Sequence, residues 1–139
     1  MNRSGYSDDC DDNLASGRWR GMVKSAIRGK RGQSFLRELA AEMDKMPVKE
    51  LIAEELVRPD GQCCTIGVVC KSRGLDVAKI DVGEPDQVSA AVGIASCLAA
   101  EIENENDDGF WHYERNTETP AERWVRMRKW VDQRIVKVT

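Results

Sequence analysis

Between Arg18 and Met46 the apolar positions recur twice with a helical period. Trp19, Met22, Val23, Ala26 and Ile27 fall at i, i+3, i+4, i+7 and i+8, one face of a helix. Arg18, Arg20, Lys24 and Arg28 fall on the other side. Gly29-Lys30-Arg31-Gly32 interrupts the pattern, and Phe35, Leu36, Leu39, Ala40 and Met43 form a second face. Neither stripe can be buried by its own helix. The pattern therefore predicts two helices joined by a basic, glycine-bearing turn, packed on each other and on the C-terminal helix.

Downstream, Val48 to Ala53 reads as a short helix with Pro47 at its first turn. Glu54 to Arg58 and Gln62 to Thr65 read as weak strands about the Pro59-Asp60-Gly61 turn, a small β-hairpin. Ile66 to Arg73 is expected to be a helix with Ile66, Val69 and Cys70 inward. Gly74 suits its left-handed end, and Leu75 would fold back on Cys70. A connector from Asp76 to Glu84 follows. Pro85 opens a helix burying Val88, Ala91 and Val92 and ending at Gly93. Ile94, Leu98 and Ile102 mark the next helix, running into Asn106. A polar loop then carries Phe110, Trp111 and Tyr113.

Thr119-Pro120-Ala121-Glu122 combines an N-cap Thr, Pro at N1 and Glu at N3, a capping box. The helix it opens has Trp124, Met127, Val131 and Ile135 as its stripe. Arg128 falls inside that stripe, so it should be paired or should reach solvent, with Glu101 or Glu105 as expected partners. Residues 1–16 are polar and acidic. They read as a solvated arm, or as an arm folded on the basic face of the first helix with Tyr6 as anchor. The expectation is a mainly α, compact single-domain helical fold over residues 1–139, of about six helices with one small β-hairpin.

A chain of 139 residues is long enough to bury one real core. The net charge of −3 gives no overall basic field of the kind that drives nucleic-acid or membrane binding. Charge is instead blocked. Asp8, Asp9, Asp11 and Asp12 are acidic, the stretch from Arg18 to Arg31 is wholly basic among its charged residues, Glu101 to Glu118 is mainly acidic, and Arg123 to Lys137 is mainly basic. No apolar run reaches the length of a membrane span, so no membrane partner is expected. Five cysteines in irregular spacing, with no signal-peptide pattern, predict reduced thiols in a cytoplasm.

The chemistry-bearing residues do not assemble into a recognisable set. Cys63, Cys64 and Cys70 with the distant His112 match no zinc spacing, and Cys70 and Cys97 sit on apolar faces, where Cys packs as a small hydrophobe. Nothing marks a group to orient a Cys–His pair. Glu101, Glu103, Glu105, Asp107 and Asp108 lack a calcium-loop pattern and read as a solvated helix end. The glycines of Arg28 to Ser34 fit neither phosphate-loop spacing, although a basic helix start can hold an anion or join a helix-turn-helix. No metal, cofactor or catalytic residue is predicted. Four Trp are many for this length. Trp19 and Trp124 lie on stripes, while Trp111 lies in a loop and Trp130 off the stripe, a composition suited to a protein interface.

Several of these segments carry a resemblance: Arg3-Ser4-Gly5-Tyr6-Ser7-Asp8-Asp9, Trp19-Arg20-Gly21, Ser25 to Gln33, Phe35-Leu36, Glu122-Arg123-Trp124 and Met127-Arg128. Together they resemble a group of small proteins of tailed bacteriophages and prophages whose function is unassigned. The resemblance spans nearly the whole chain and implies an accessory role in a bacterial host cytoplasm, with no catalytic residues to transfer. Gly61-Gln62-Cys63-Cys64 departs from it, holding two cysteines where the group's pattern has one, which argues against an exact thiol site. The expected function is non-enzymatic binding of a host protein, such as anti-defence inhibition of a CRISPR system. Arg28, Lys30, Arg31, Trp111 and Trp130 are the expected contact residues. The alternative is a nucleic-acid-binding module built on residues 18–34.

Overall fold

The chain turns its first corner at a single glycine. The computed structural model describes residues 13–107 and 117–137, and six α-helices lie among them. They are α1 (Asn13–Arg28), α2 (Lys30–Lys45), α3 (Thr65–Arg73), α4 (Pro85–Val92), α5 (Ser96–Asp107) and α6 (Pro120–Arg134). One 3₁₀ turn, Val77–Lys79, sits in the connector before α4. The basic turn is shorter than expected. Only Gly29 separates α1 from α2, so Lys30 and Arg31 belong to the first turn of α2. Gly29 donates to the Ser25 carbonyl at 3.0 Å and accepts from the Gln33 N–H at 2.9 Å. Gly32 makes this corner possible, because a Cβ there would overlap the Ala26 carbonyl oxygen.

α2 buries Phe35, Leu36, Leu39, Ala40 and Met43, the face its periodicity assigns. It packs on α1, α3 and α6, while α5 packs on α1, α3, α4 and α6. α1 thus rests mainly on α2 and α5 instead of on the C-terminal helix. Its stripe is covered unevenly: Val23 is buried, Trp19 and Ile27 are half-buried, and Met22 remains 56% exposed.

The expected hairpin is not a hairpin: no strand occurs among the described residues. An isolated antiparallel bridge joins Val57 to Cys63 around Pro59-Asp60-Gly61. Arg58 donates to the Gln62 carbonyl at 2.7 Å and Cys64 to that of Leu56 at 3.0 Å. The pairing stops there for two reasons. Thr65 begins α3, and its N–H is taken by Asn106 Oδ1 at 3.1 Å. Glu54 adopts φ 69°, a left-handed conformation foreign to a strand. The expected helix at Val48 to Ala53 is also absent. Leu51 and Ile52 are consecutive and both buried, and their N–H groups go to the Pro120 and Cys63 carbonyls at 3.0 and 2.9 Å.

Helix ends follow their local chemistry closely. Gly74 closes α3 at φ 67°, and Leu75 donates back to Cys70 at 3.0 Å, the expected Schellman end. Pro85 starts α4 and Gly93 ends it at φ 79°. The capping box of α6 is complete, with Glu122 N–H to Thr119 Oγ1 at 3.1 Å and Thr119 N–H to Glu122 Oε1 at 3.0 Å.

The buried face of α6 is Arg123, Met127, Trp130 and Val131, rotated from the expected stripe. Trp130 is therefore core, only 5% exposed, and cannot serve as the expected surface contact. Arg123 takes the place on that face that an apolar residue would normally hold. It donates to the carbonyls of Asn106 at 3.1 Å and Leu51 at 3.0 Å, and lies 3.4 Å from Glu118. Arg126 forks onto Glu118 at 2.7 and 3.0 Å and reaches Glu105 at 3.2 Å. Arg128 does not meet Glu101 or Glu105. It pairs with Asp44 of α2 at 2.8 and 3.1 Å, a carboxylate whose side chain is 55% exposed.

This difference in burial sets a stability prediction. Arg123→Ala strands the buried Leu51 carbonyl and leaves Glu118 and the Asn106 carbonyl to Arg126 alone, and should cost about 1–3 kcal/mol. Arg128→Ala breaks a solvent-screened pair and should cost less than about 1 kcal/mol. Urea unfolding of the two variants checks the order, and an Arg128 loss equal to that of Arg123 would contradict it.

Candidate interaction groove

α1 carries two parallel rows one residue apart. Trp19, Val23 and Ile27 recur at i, i+4 and i+8, and so do Arg20, Lys24 and Arg28. With about 1.5 Å of rise per residue, each row is spaced by about 6 Å. The apolar row leans toward the body of the protein and the basic row stands in solvent. Because α1 rests on α5 and α2, a channel stays open between it and the chain at the end of α6. Gln133, Arg134, Ile135 and Val136 form the opposite wall, Glu101 of α5 lies at the base, and the volume is about 550 Å³. That is the size of a ligand or side-chain pocket.

Gln33, 6% exposed, holds the two walls at their spacing. Its amide donates to the carbonyls of Ile27 at 2.7 Å and Arg134 at 3.0 Å, and its Oε1 accepts from the Val136 N–H at 2.8 Å. One side chain at the start of α2 thereby fixes the end of α1 against the segment after α6. Arg134 is anchored as well. Its guanidinium lies 4.1 Å from the Trp130 ring centroid and donates to the Trp130 carbonyl at 3.1 Å.

Residues 13–37 hold Arg18, Arg20, Lys24, Arg28, Lys30, Arg31 and Arg37 and no carboxylate. Among the described residues, Arg20, Lys24, Arg28, Lys30 and Arg31 form no ion pair, in contrast to Arg73, Arg123, Arg126 and Arg128. Of the expected contact residues, Arg28 lines the groove, and Lys30 and Arg31 are exposed beside it on α2. Trp130 lies in the core. Trp111 lies outside the described residues, as do the 1–12 part of the acidic arm, Phe110, His112 and Tyr113. Arg20, Lys24 and Gln33 were legible as exposed or turn residues but not as parts of one site, since the groove depends on where α6 ends.

The thiols lie elsewhere. Cys63, Cys64, Cys70 and Cys97 are free and buried. Burial, reinforced by the neighbouring Cys64, pushes Cys63 up to about 11 and Cys70 up to about 12, so both stay protonated at neutral pH. Cys64 Sγ accepts from the Gly67 N–H at 3.4 Å as the N-cap of α3. Gly67 sits where a Cβ would strike the Leu56 carbonyl, so the thiols pack in a close-fitting corner of the core. Among the described residues no group of three or more His, Cys, Asp or Glu is placed to hold a metal ion.

Glu101 is the one carboxylate among the described residues that line the groove. Burial raises its pKa above the ordinary value, Glu105 adds to the rise, and Trp19 and Arg134 offset part of it. The native state therefore binds this proton more tightly than the unfolded chain. Stability from this residue falls as pH rises from the unfolded value of about 4.3 through the raised one. Glu101→Gln should be more stable than wild type at pH 7 and indistinguishable from it near pH 3.5, as read by urea unfolding at the two pH values. A less stable Glu101→Gln at pH 7 would mean that Trp19 and Arg134 outweigh burial.

No family model, curated protein or solved structure matches the chain.

Proposed function

We propose that the protein is a non-enzymatic phage accessory factor that acts in the bacterial host cytoplasm by binding a host protein, in the manner of an anti-defence inhibitor such as an anti-CRISPR. The observation that carries the binding reading is the row Arg20, Lys24 and Arg28 standing unpaired beside a half-covered apolar row in a groove. Arg73, in contrast, is paired with Glu38 at 2.6 Å. The phage and host part of the reading is supported by the sequence resemblance alone.

Nucleic acid is the competing ligand, favoured by Arg28, Lys30 and Arg31 lying together around Gly29. Against it stand the Glu101 carboxylate in the groove, the apolar lining and the net charge of −3.

Affinity purification from host cells with wild type and with a Lys24→Glu/Arg28→Glu variant tests the reading. Both positions are exposed, so the variant should fold normally. It should lose at least about tenfold in capture of the specific partner, the equivalent of 1.4 kcal/mol. Wild-type binding should slow as salt rises above physiological strength, where the screening length is about 8 Å. Unchanged capture by the variant removes the groove from the interaction. Tight duplex binding lost in Lys30→Glu/Arg31→Glu would establish the nucleic-acid reading instead.

A further inference from the structure

The groove restricts what its occupant can look like, and the inference here rests on the protein-binding reading above. We propose that the groove between α1 and the end of α6 receives one amphipathic α-helix of the partner, whose apolar stripe is edged by carboxylates at i, i+4 and i+8. Three observations on the groove converge on this occupant.

The first is spacing. Arg20, Lys24 and Arg28 recur every fourth residue, about 6 Å of rise per step, on a row inclined to the α1 axis. A second helix crossing α1 at about −50° sets its own i, i+4, i+8 row alongside this one, so carboxylates in that register face the cations together. The second is the adjoining apolar row. Trp19 and Ile27 are half-buried, and Ile135 across the channel is also half-covered. An apolar stripe next to the acidic edge completes that burial, which is how an amphipathic helix seats in a groove. The third is the absence of a strand among the described residues. A peptide that binds by strand addition needs a sheet edge, and the described residues present none. Glu101 also lines the groove, so a ligand carboxylate brought next to it is disfavoured.

The probe is a designed monomeric 16-residue helix, fluorescein-labelled, with a Leu stripe and a Glu edge at every fourth position, read by anisotropy against the full chain. The controls are the same helix with the edge changed to Lys, the same helix with the stripe changed to Ser, and a labelled DNA duplex. The Glu-edged helix should bind at least about tenfold tighter than either peptide control. Lys24→Glu in the protein should weaken it about tenfold, and Ile27→Ser should weaken it comparably while far-UV circular dichroism stays unchanged. Equal binding of the Glu- and Lys-edged helices, or no loss in Lys24→Glu, overturns the proposal. So does duplex binding that competes the helix away with the same groove dependence. These results are separable from those for the wider reading. A host protein whose capture depends on Lys24 and Arg28, alongside a Glu-edged helix that does not bind, leaves the protein-binding function standing and rejects the helical occupant.

Discussion

A loop can be buried only if its backbone finds donors, and in this fold the donors come from Asn106 and Arg123. The segment between α2 and α3 puts Leu51, Ile52 and Leu56 into the core with no regular ladder of its own. The Leu51 carbonyl is met by Arg123 at 3.0 Å and the Ile52 carbonyl by the Asn106 amide at 2.9 Å. Asn106 also accepts from the Thr65 N–H and hydroxyl, at 3.1 and 2.7 Å, and so anchors the start of α3. Its own carbonyl accepts from Arg123 and Arg126, at 3.1 and 3.2 Å. A single fully buried asparagine thus joins the loop, α3, α5 and α6, and no apolar residue of similar size could replace it without stranding several groups at once.

Legibility in the sequence tracked the range of the interaction. Gly74, Gly93, Pro85 and the Thr119–Glu122 box act within four residues, and each does locally what its sequence predicts. α2 was equally clear, because its five buried apolar residues share one unbroken face. α6 was misread in phase. Met127 and Val131 belong to both candidate stripes, and Trp124 and Trp130 weigh about equally on either side of them. Arg123 tips a sequence reading toward Trp124, since an arginine on the core face is unusual. Only the carbonyls of Leu51 and Asn106, residues far away in the chain, make that arginine a core residue. Arg128 was misassigned for the same reason: once α6 is rotated, it points to Asp44 on α2 instead of α5.

The groove is a consequence of these placements. Gly32 and Gln33 turn α1 tightly onto α2 and hold the chain after α6 at a fixed distance from it. α5, not α6, then covers α1, and the remaining channel is bounded by whatever α1 and the segment after α6 present. The sequence shows that Arg20, Lys24 and Arg28 share a side of one helix. It does not show that Ile135 and Val136 stand across from them, because that depends on the phase and length of α6.

The electrostatic division of the molecule follows from the same geometry. Arg73 of α3 and Arg123, Arg126 and Arg128 of α6 are committed to carboxylates of α2 and α5 or of the chain before α6, and the hydrogen bond from Arg73 holds Glu38, like that from Arg128 holds Asp44, below the usual carboxylate range. Those charges are internally satisfied and offer a partner little. Residues 13–37 contain no carboxylate, so no acid in the first turn of α2 offsets its helix dipole. The positive potential there is uncompensated by the described fold, whereas the net charge of the whole chain is negative. An acidic partner of the kind proposed would be attracted to the α1 side, which would bias its orientation before close contact forms. The apolar row beside the cations then decides what stays bound, since surface ion pairs alone contribute at most about 1 kcal/mol each in water.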